Sequence, residues 1–197
     1  MVWDAGIVET LSGDHVVSKG LTQARTIKWQ PLAAARPAIS HSWWQWVSST
    51  DSLTTRLTEA GAPATFRVRL LSQRLGRPSR DEALALDQPI GRWAWIREVA
   101  LCLNDQPWVI ARSVAPLDRL NGHRLDGLGE RSLGSWLFSQ PGLKRGAIEI
   151  TRSPAPFHQI PGPLGRRSIL HHQRFTVLVQ EFFLDNMADN LGLLPSR

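Results

Sequence analysis

Between Trp93 and Arg112 the chain reads WAWIREVALCLNDQPWVIAR, two apolar runs around Asn104-Asp105 and Gln106-Pro107. Those four residues form turns readily, so the pattern predicts a β-hairpin. Alternate residues of a strand share a face. Trp93, Trp95, Arg97, Val99 and Leu101 therefore point one way, and Ala94, Ile96, Ala100 and Cys102 the other. The first face is apolar enough to be buried, with Arg97 in its middle. A guanidinium keeps its proton at ordinary pH, and a buried charge is costly unless paired. Arg97 thus calls for an internal carboxylate, a path out past the Trp rings, or an anionic ligand. The second strand, predicted at Trp108–Ala115, would put Trp108, Ile110, Arg112 and Val114 on one face, repeating an arginine among apolar groups.

The same reading runs along the rest of the chain. Pro31 to Pro37 frames an Ala-rich link. Ser42 can cap a short helix whose Trp43, Trp44, Trp46 and Val47 would anchor it to a core. Asp51 or Ser52 can cap a helix over Leu53–Ala60, stopped by Gly61 and Pro63. Phe66–Leu71 alternates as a half-exposed strand. Arg74–Asp87 reads as a loop with a short helical piece, and Pro116–Leu128 as loop or short helix. Arg131–Phe138 predicts a helix ended by Pro141-Gly142, and Ala147–Arg152 a strand. Pro154–Gly165 is a long Pro- and Gly-rich loop, of a length often found in lids. Phe175–Leu184 is the last strong strand, with Glu181 among Phe175, Val177, Val179 and Phe183. From Asp185 the chain is more polar and is expected to fray. Strands joined by short connections, with helices early and between them, predict an α+β fold: an antiparallel sheet with helices on one side.

Composition narrows the class. The 197 residues suffice for one domain and a tail. The expected division is an extension over 1–25, one domain over 26–190, and a tail over 191–197. A formal charge of +6 points to an anionic partner. Its 23 Lys and Arg are scattered, which speaks against a nucleic-acid-binding stripe. Lys occurs only at 19, 28 and 144, so Arg, the better two-pronged grip on carboxylates, dominates. Cys102 is the only cysteine, which excludes an internal disulfide and a CxxC site, and its place on an apolar face predicts a packed, inert thiol. No apolar run is long enough to span a bilayer. The N-terminus lacks the charged region and apolar core of a signal peptide. A cytoplasmic protein is the expectation.

Candidate chemistry concentrates on two residues. Arg97 and Glu181 are distant in sequence, yet each interrupts an apolar strand face. They can form a buried ion pair, which adds little stability. They can also face each other across a closed pocket, gripping a small ligand with a carboxylate at one end and a hydroxyl at the other. The adjacent His171-His172 would point to opposite strand faces and make a poor metal pair. No G-x-S-x-G, P-loop or GxGxxG occurs. Gly162–Ile169 (GPLGRRSI) reads as a basic loop in solvent, or as an anion gate at a pocket mouth.

A set of short segments, taken together, resembles a known family. Asp51-Ser52-Leu53-Thr54, Trp95-Ile96-Arg97-Glu98, Pro107-Trp108 with Ala111-Arg112, and Leu133-Gly134 with Leu137-Phe138 occur in that order. Ile148-Glu149-Ile150-Thr151-Arg152, Gly165-Arg166-Arg167-Ser168 and Glu181-Phe182-Phe183-Leu184 complete the set. Between roughly Thr26 and Leu184 the chain resembles the chorismate pyruvate-lyases. No one motif is specific; seven in order at compatible spacings are.

The resemblance implies a six-stranded antiparallel sheet and an enclosed pocket under helical flaps. It implies a cofactor-independent conversion of chorismate to 4-hydroxybenzoate and pyruvate, the first step toward ubiquinone in bacteria. Under it, Arg97 matches the arginine at the ring carboxylate and Glu181 the glutamate at the ring hydroxyl. Leu53 and Leu133 match positions lining the product site. Arg112 and Arg152 match basic residues expected near the pocket or its exit. The partners would be chorismate and 4-hydroxybenzoate, with no nucleic acid and no membrane insertion, and the protein would be a monomer. The rival reading is a non-catalytic domain of the same fold that senses small aromatic acids, like the ligand domains of some bacterial transcription regulators. These need an attached DNA-binding helix-turn-helix, and Met1–Arg25 is too short and aperiodic for one.

Overall fold

A computed structural model describes residues 27–120, 127, 129–158 and 160–193. The proposed extension over 1–25, the last four residues of the tail, and most of the segment between Leu120 and Gly129 lie outside the described residues.

The frame is one antiparallel sheet. Its strands are β1 (Gln30–Pro31), β2 (Phe66–Gly76), β3 (Ala94–Leu103), β4 (Gln106–Pro116), β5 (Lys144–Arg145), β6 (Glu149–Thr151), β7 (Leu164–His172) and β8 (Phe175–Phe183). The order is β1-β6-β7-β8-β4-β3-β2, with β5 also paired to β7. The sheet thus has eight strands where six were expected. The two-residue strands β1 and β5, at its margin, account for the difference.

The central hairpin forms as its pattern dictates. Asn104 and Asp105 both take positive φ, 46° and 61°, the geometry that a two-residue hairpin turn requires. A regular hairpin from that turn would pair Arg97 with Arg112. Instead Cys102 pairs with Pro107 but Leu101 with Val109, so Trp108 is an extra residue. This bulge moves the register by one and flips every later side chain of β4. Arg97 therefore sits opposite Ser113, and Arg112 opposite Glu98. Trp108 packs with Val109, Leu101 and Leu103 on the inner face, away from Ile110. The expectation that Trp108, Ile110, Arg112 and Val114 share a face is corrected by this one residue.

The inner face carries most of the helices. They are α1 (Leu32–Ala35), α2 (His41–Val47), α3 (Leu53–Ala60), α5 (Leu133–Phe138) and α6 (Asp185–Leu191). Ser40, Ser52 and Ser132 cap α2, α3 and α5 through hydrogen bonds from backbone amides. Ser52 is one of the two caps foreseen for Leu53–Ala60; α2 begins two residues earlier than Ser42 would place it. Trp43 and Trp46 are buried against Val68, Leu101 and Phe183, as core anchors. The segment from Asp185 does not fray: α6 buries Met187 in the same cluster.

One helix packs on the outer face, which corrects the expectation of helices on a single side. It is α4 (Arg80–Ala85), held by a Ser79/Glu82 capping box. It places Glu82 over a polar row that crosses β3, β4, β8, β7 and β6 as Glu98, Arg112, Gln180, Arg167 and Glu149. Arg112 donates to Glu82 at 2.7 Å and also to Glu98, and Gln180 donates to Glu82 at 2.6 Å. Arg167 bridges Glu149 at 2.7 Å and Asp81 at 2.9 Å. The long loop after Arg152 packs here as well. Ala155, Phe157 and Ile160 cover Ala100, Cys102, Ile110 and Phe182. Cys102 is fully buried, and burial pushes its thiol up, as an inert packed cysteine requires.

Burial alone would push the Glu82 carboxyl up. Arg112, with the Ser79 amide and Gln180, more than offsets this and holds it below its usual 4.5. A carboxyl lowered by folding stabilises the fold above the unfolded-state value and loses that contribution as pH falls through the folded one. Arg112→Met should therefore cost about 3–5 kcal/mol in urea unfolding at neutral pH, because Glu82 and Glu98 lose their partner. The loss of stability below about pH 4.5 that Glu82 gives the unmodified protein should flatten in this variant.

Candidate functional site

Strand alternation and register fix what the inner face presents. Val99, Ala111, Glu181 and Arg166 stand in one row across β3, β4, β8 and β7. Arg97, Ser113, Val179 and Ser168 form the next row. Arg97 and Glu181 thus project from the same face, two strands and two residues apart, or about 12 Å between their backbones. They are 1% and 8% exposed.

A cavity lies over these rows. Val99, Leu101, Ala111 and Val179 make its apolar floor, with Ser113 and Glu181 as polar points. Its roof is the start of two helices, Leu53 and Thr54 of α3 and Leu133, Gly134, Leu137 and Phe138 of α5, with the cap Ser132. The two helices are tied by a 2.7 Å hydrogen bond between Thr54 Oγ1 and Ser132 Oγ. Leu53 and Leu133 are the first residues of their helices and both line the cavity.

Glu181 does not pair with Arg97. Its Oε2 accepts from Arg166 Nε at 2.6 Å. Arg166, 1% exposed, also donates to the carbonyls of Trp46 at 2.7 Å and Ser49 at 2.9 Å. It thereby fastens the α2–α3 connection to the sheet and fixes the Glu181 carboxylate. Arg97 donates instead to Gln73 Oε1 at 2.7 Å and to the carbonyls of Gly129 at 2.7 Å and Arg131 at 3.1 Å. Gln73 stands opposite Arg97 because a shift in β2 between Leu70 and Ser72 resets the register. Arg97 Nε is buried with no hydrogen-bond partner among the described residues. Burial pushes this guanidinium below its usual value.

The structure brings Glu181, Leu53 and Leu133 to one cavity; Arg97 projects from the same sheet face but is not among the residues lining that cavity. It separates the two weaker candidates from them. Arg112 is on the outer face, within the Glu82–Glu98 cluster, for the bulge reason given above. Arg152 is exposed at the end of β6, where it donates to the Ala38 carbonyl. Arg166 belongs to the site but was read as part of a solvent loop or gate. Its segment is a central strand, β7, with Arg166 and Arg167 both buried. The alternation of Leu164, Arg166, Ser168 and Leu170 was the signal. The loop before it covers the outer face and is no lid on this cavity. Arg145 also lines the cavity; no periodicity around it announced that position. Among the described residues no group of His, Cys, Asp and Glu is placed to hold a metal ion, and no helix is long and apolar enough to cross a membrane.

The Thr54–Ser132 bond predicts a local effect. Thr54→Val removes it while leaving the Ser132 cap on Ser135 in place. Amide exchange in α5 should then rise by roughly fivefold, as loss of about 1 kcal/mol requires, with the β3–β4 amides unchanged. Unchanged α5 exchange would show that the two helices are held by other contacts.

The sequence matches known proteins over most of its length. The family model for chorismate lyase matches residues 24–190. A probable chorismate pyruvate-lyase of Chromohalobacter salexigens is 55% identical over 174 residues, covering 86% of this chain and 94% of that protein. One from Pseudomonas aeruginosa is 41% identical over 162 residues, covering 79% and 90%. Another, from Halorhodospira halophila, is 39% identical over 176 residues, covering 79% and 92%. With an inner-face cavity roofed by Leu53 and Leu133 and a match of this extent, the chain belongs to the chorismate lyase family.

Proposed function

We propose that the protein is a chorismate pyruvate-lyase, converting chorismate to 4-hydroxybenzoate and pyruvate without a cofactor, as the first step toward ubiquinone. Family membership supports the activity. The observation that carries the site assignment is the buried, unmatched Arg97 on the same sheet face as the Arg166-held Glu181.

The ring carboxylate of chorismate meets Arg97. Its Nε is a buried donor without an acceptor among the described residues, and a carboxylate satisfies it by a charge-assisted bond. Glu181, already oriented by Arg166, accepts from the C4 hydroxyl and so sets the attitude of C4. The two groups stand far enough apart for one ring between them. Leu53 and Leu133 close over that ring.

The chemistry then needs orientation more than reagents. The C4 hydrogen passes to the enolpyruvyl methylene, which becomes the methyl group of pyruvate. The C3–O bond breaks and its oxygen becomes the pyruvate carbonyl. The electrons of the C4–H bond form the C3–C4 double bond, and the ring becomes aromatic. Holding the arm over the ring in a dry site is a large share of such a barrier. The cavity, about 50 Å³, takes only a few water-sized guests. An aromatic acid therefore enters only as α3 and α5 part, and the product, gripped at both ends, leaves slowly. The reading places this reaction in the cytoplasm, in a monomer, with chorismate and 4-hydroxybenzoate as its partners.

Purified protein mixed with chorismate should produce 4-hydroxybenzoate, followed by absorbance. Arg97→Ala should lose most activity, at least a hundredfold in kcat/KM, since the substrate anion loses its partner. Glu181→Gln should keep the fold but lower kcat. Near-normal turnover in both variants would remove these residues from the site.

A further inference from the structure

The inner face holds more positive charge than it neutralises. Arg97, Arg145 and Arg166 come to it from β3, β5 and β7, against one buried carboxylate among the described residues, that of Glu181. Arg166 takes that carboxylate at 2.6 Å. Two guanidiniums are left with no carboxylate at ion-pair distance among the described residues. Arg97 is one; its partners are an amide oxygen and two backbone carbonyls. Arg145 is the other.

Arg145 lines the cavity, as Glu181 does, and is close enough to feel that carboxylate's charge. One Nη donates to Ser168 Oγ, and the guanidinium lies 5.3 Å from the ring centre of Phe138 in the roof helix α5. Its Nε is buried with no partner among the described residues. The charges that act on it are Glu181 and Asp51, which attract, and Arg166, which repels, with neither carboxylate in contact. Burial lowers it from its usual value despite those carboxylates. The arrangement holds a cation in place between sheet and roof, with a donor that meets no acceptor among the described residues. That is costly unless an anion arrives.

We propose that Arg145 binds the carboxylate of the enolpyruvyl arm, so that the site is matched to a dianion: ring carboxylate on Arg97, arm carboxylate on Arg145. This rests on the lyase reading above and deepens it. The geometry agrees with the substrate's own connectivity. The arm leaves C3, the neighbour of the C4 that carries the hydroxyl, so its carboxylate belongs beside Glu181, where Arg145 is. Held there, the arm is folded over the ring, as the hydrogen transfer to its methylene requires. The ring product has no such group. Once the C3–O bond breaks, Arg145 keeps its hold only on pyruvate.

This makes a test that separates substrate from product. In Arg145→Gln, kcat/KM for chorismate should fall by about tenfold to a hundredfold, while the inhibition constant of 4-hydroxybenzoate stays within about twofold. Arg145→Lys should recover part of the loss. Arg97→Ala should weaken both ligands. Calorimetric binding of 4-hydroxybenzoate to the unmodified protein and to both Arg145 variants gives the product side of this comparison without turnover. Parallel weakening of the two ligands, or no change in either, overturns the assignment of Arg145. Binding with the expected selectivity but no turnover by the unmodified protein would sink the lyase reading while leaving Arg145 as the arm's anchor. If neither ligand binds the unmodified protein, both fall.

Discussion

Arg166 is the contact on which the site's geometry depends. Its guanidinium is held from two directions, by Glu181 on the neighbouring strand and by the carbonyls of Trp46 and Ser49 at the end of α2, while its second Nη has no partner among the described residues. The first bond sets the attitude of the one buried inner-face carboxylate. The second pins the connection into α3, the helix whose first residue forms part of the roof. A lysine could not serve both, because the fork of donors in one plane is what joins a strand side chain to a loop backbone. The buried pair does not have to add net stability to matter here. It makes the position of Glu181 and the position of the roof a single decision.

The two faces of the sheet treat their charges differently. On the outer face, Arg112 and Arg167 each meet two carboxylates, and Glu82 collects donors from α4, β4 and β8. That cluster is closed upon itself and holds α4 to the sheet. On the inner face, two of the three guanidiniums lack a carboxylate among the described residues. The same residue type is therefore paired with carboxylates on one side and, at two positions, without one on the other. For Arg112 the side is set by parity along the strand, through one extra residue in β4.

That residue also shows where the sequence was readable. The hairpin, its Asn104-Asp105 turn, the Ser52-capped helix and the alternation around Arg97 and Glu181 are local, and local patterns carried them. The bulge at Trp108 is not local. Counting from the turn puts Arg97 and Arg112 opposite each other, and only the packing of Trp108 into the inner-face core shifts the register. Arg112 went to the wrong face for that reason. Gly162–Ile169 was misread for another. Its prolines and glycines suggested a loop, but the strand begins at Leu164, and Gly165 is needed there because a side chain would press into Phe182 and Thr151. The partners that bury Arg166, Trp46 and Ser49, are more than a hundred residues away, beyond any periodicity. Arg145 sits in a two-residue strand too short to show alternation.

Arg97 links the charge imbalance to the roof. Two of its bonds go to carbonyls of Gly129 and Arg131, in the segment that leads into α5. Arg131 in turn donates to the Gly127 carbonyl at 2.7 Å. Neutral carbonyls accept a guanidinium's hydrogens but do not offset its charge, so Arg97 keeps an electrostatic deficit that no carboxylate among the described residues relieves. A carboxylate arriving at Nε removes that deficit without requiring the roof bonds to break. Under the proposed function, binding and closure favour each other through one side chain: a guest carboxylate would lower the cost of burying Arg97, and Arg97 holds the segment that leads into α5. Such a site would bind an aromatic acid whether or not that acid can react, and retention of the ring product would follow from the side chain that docks the substrate.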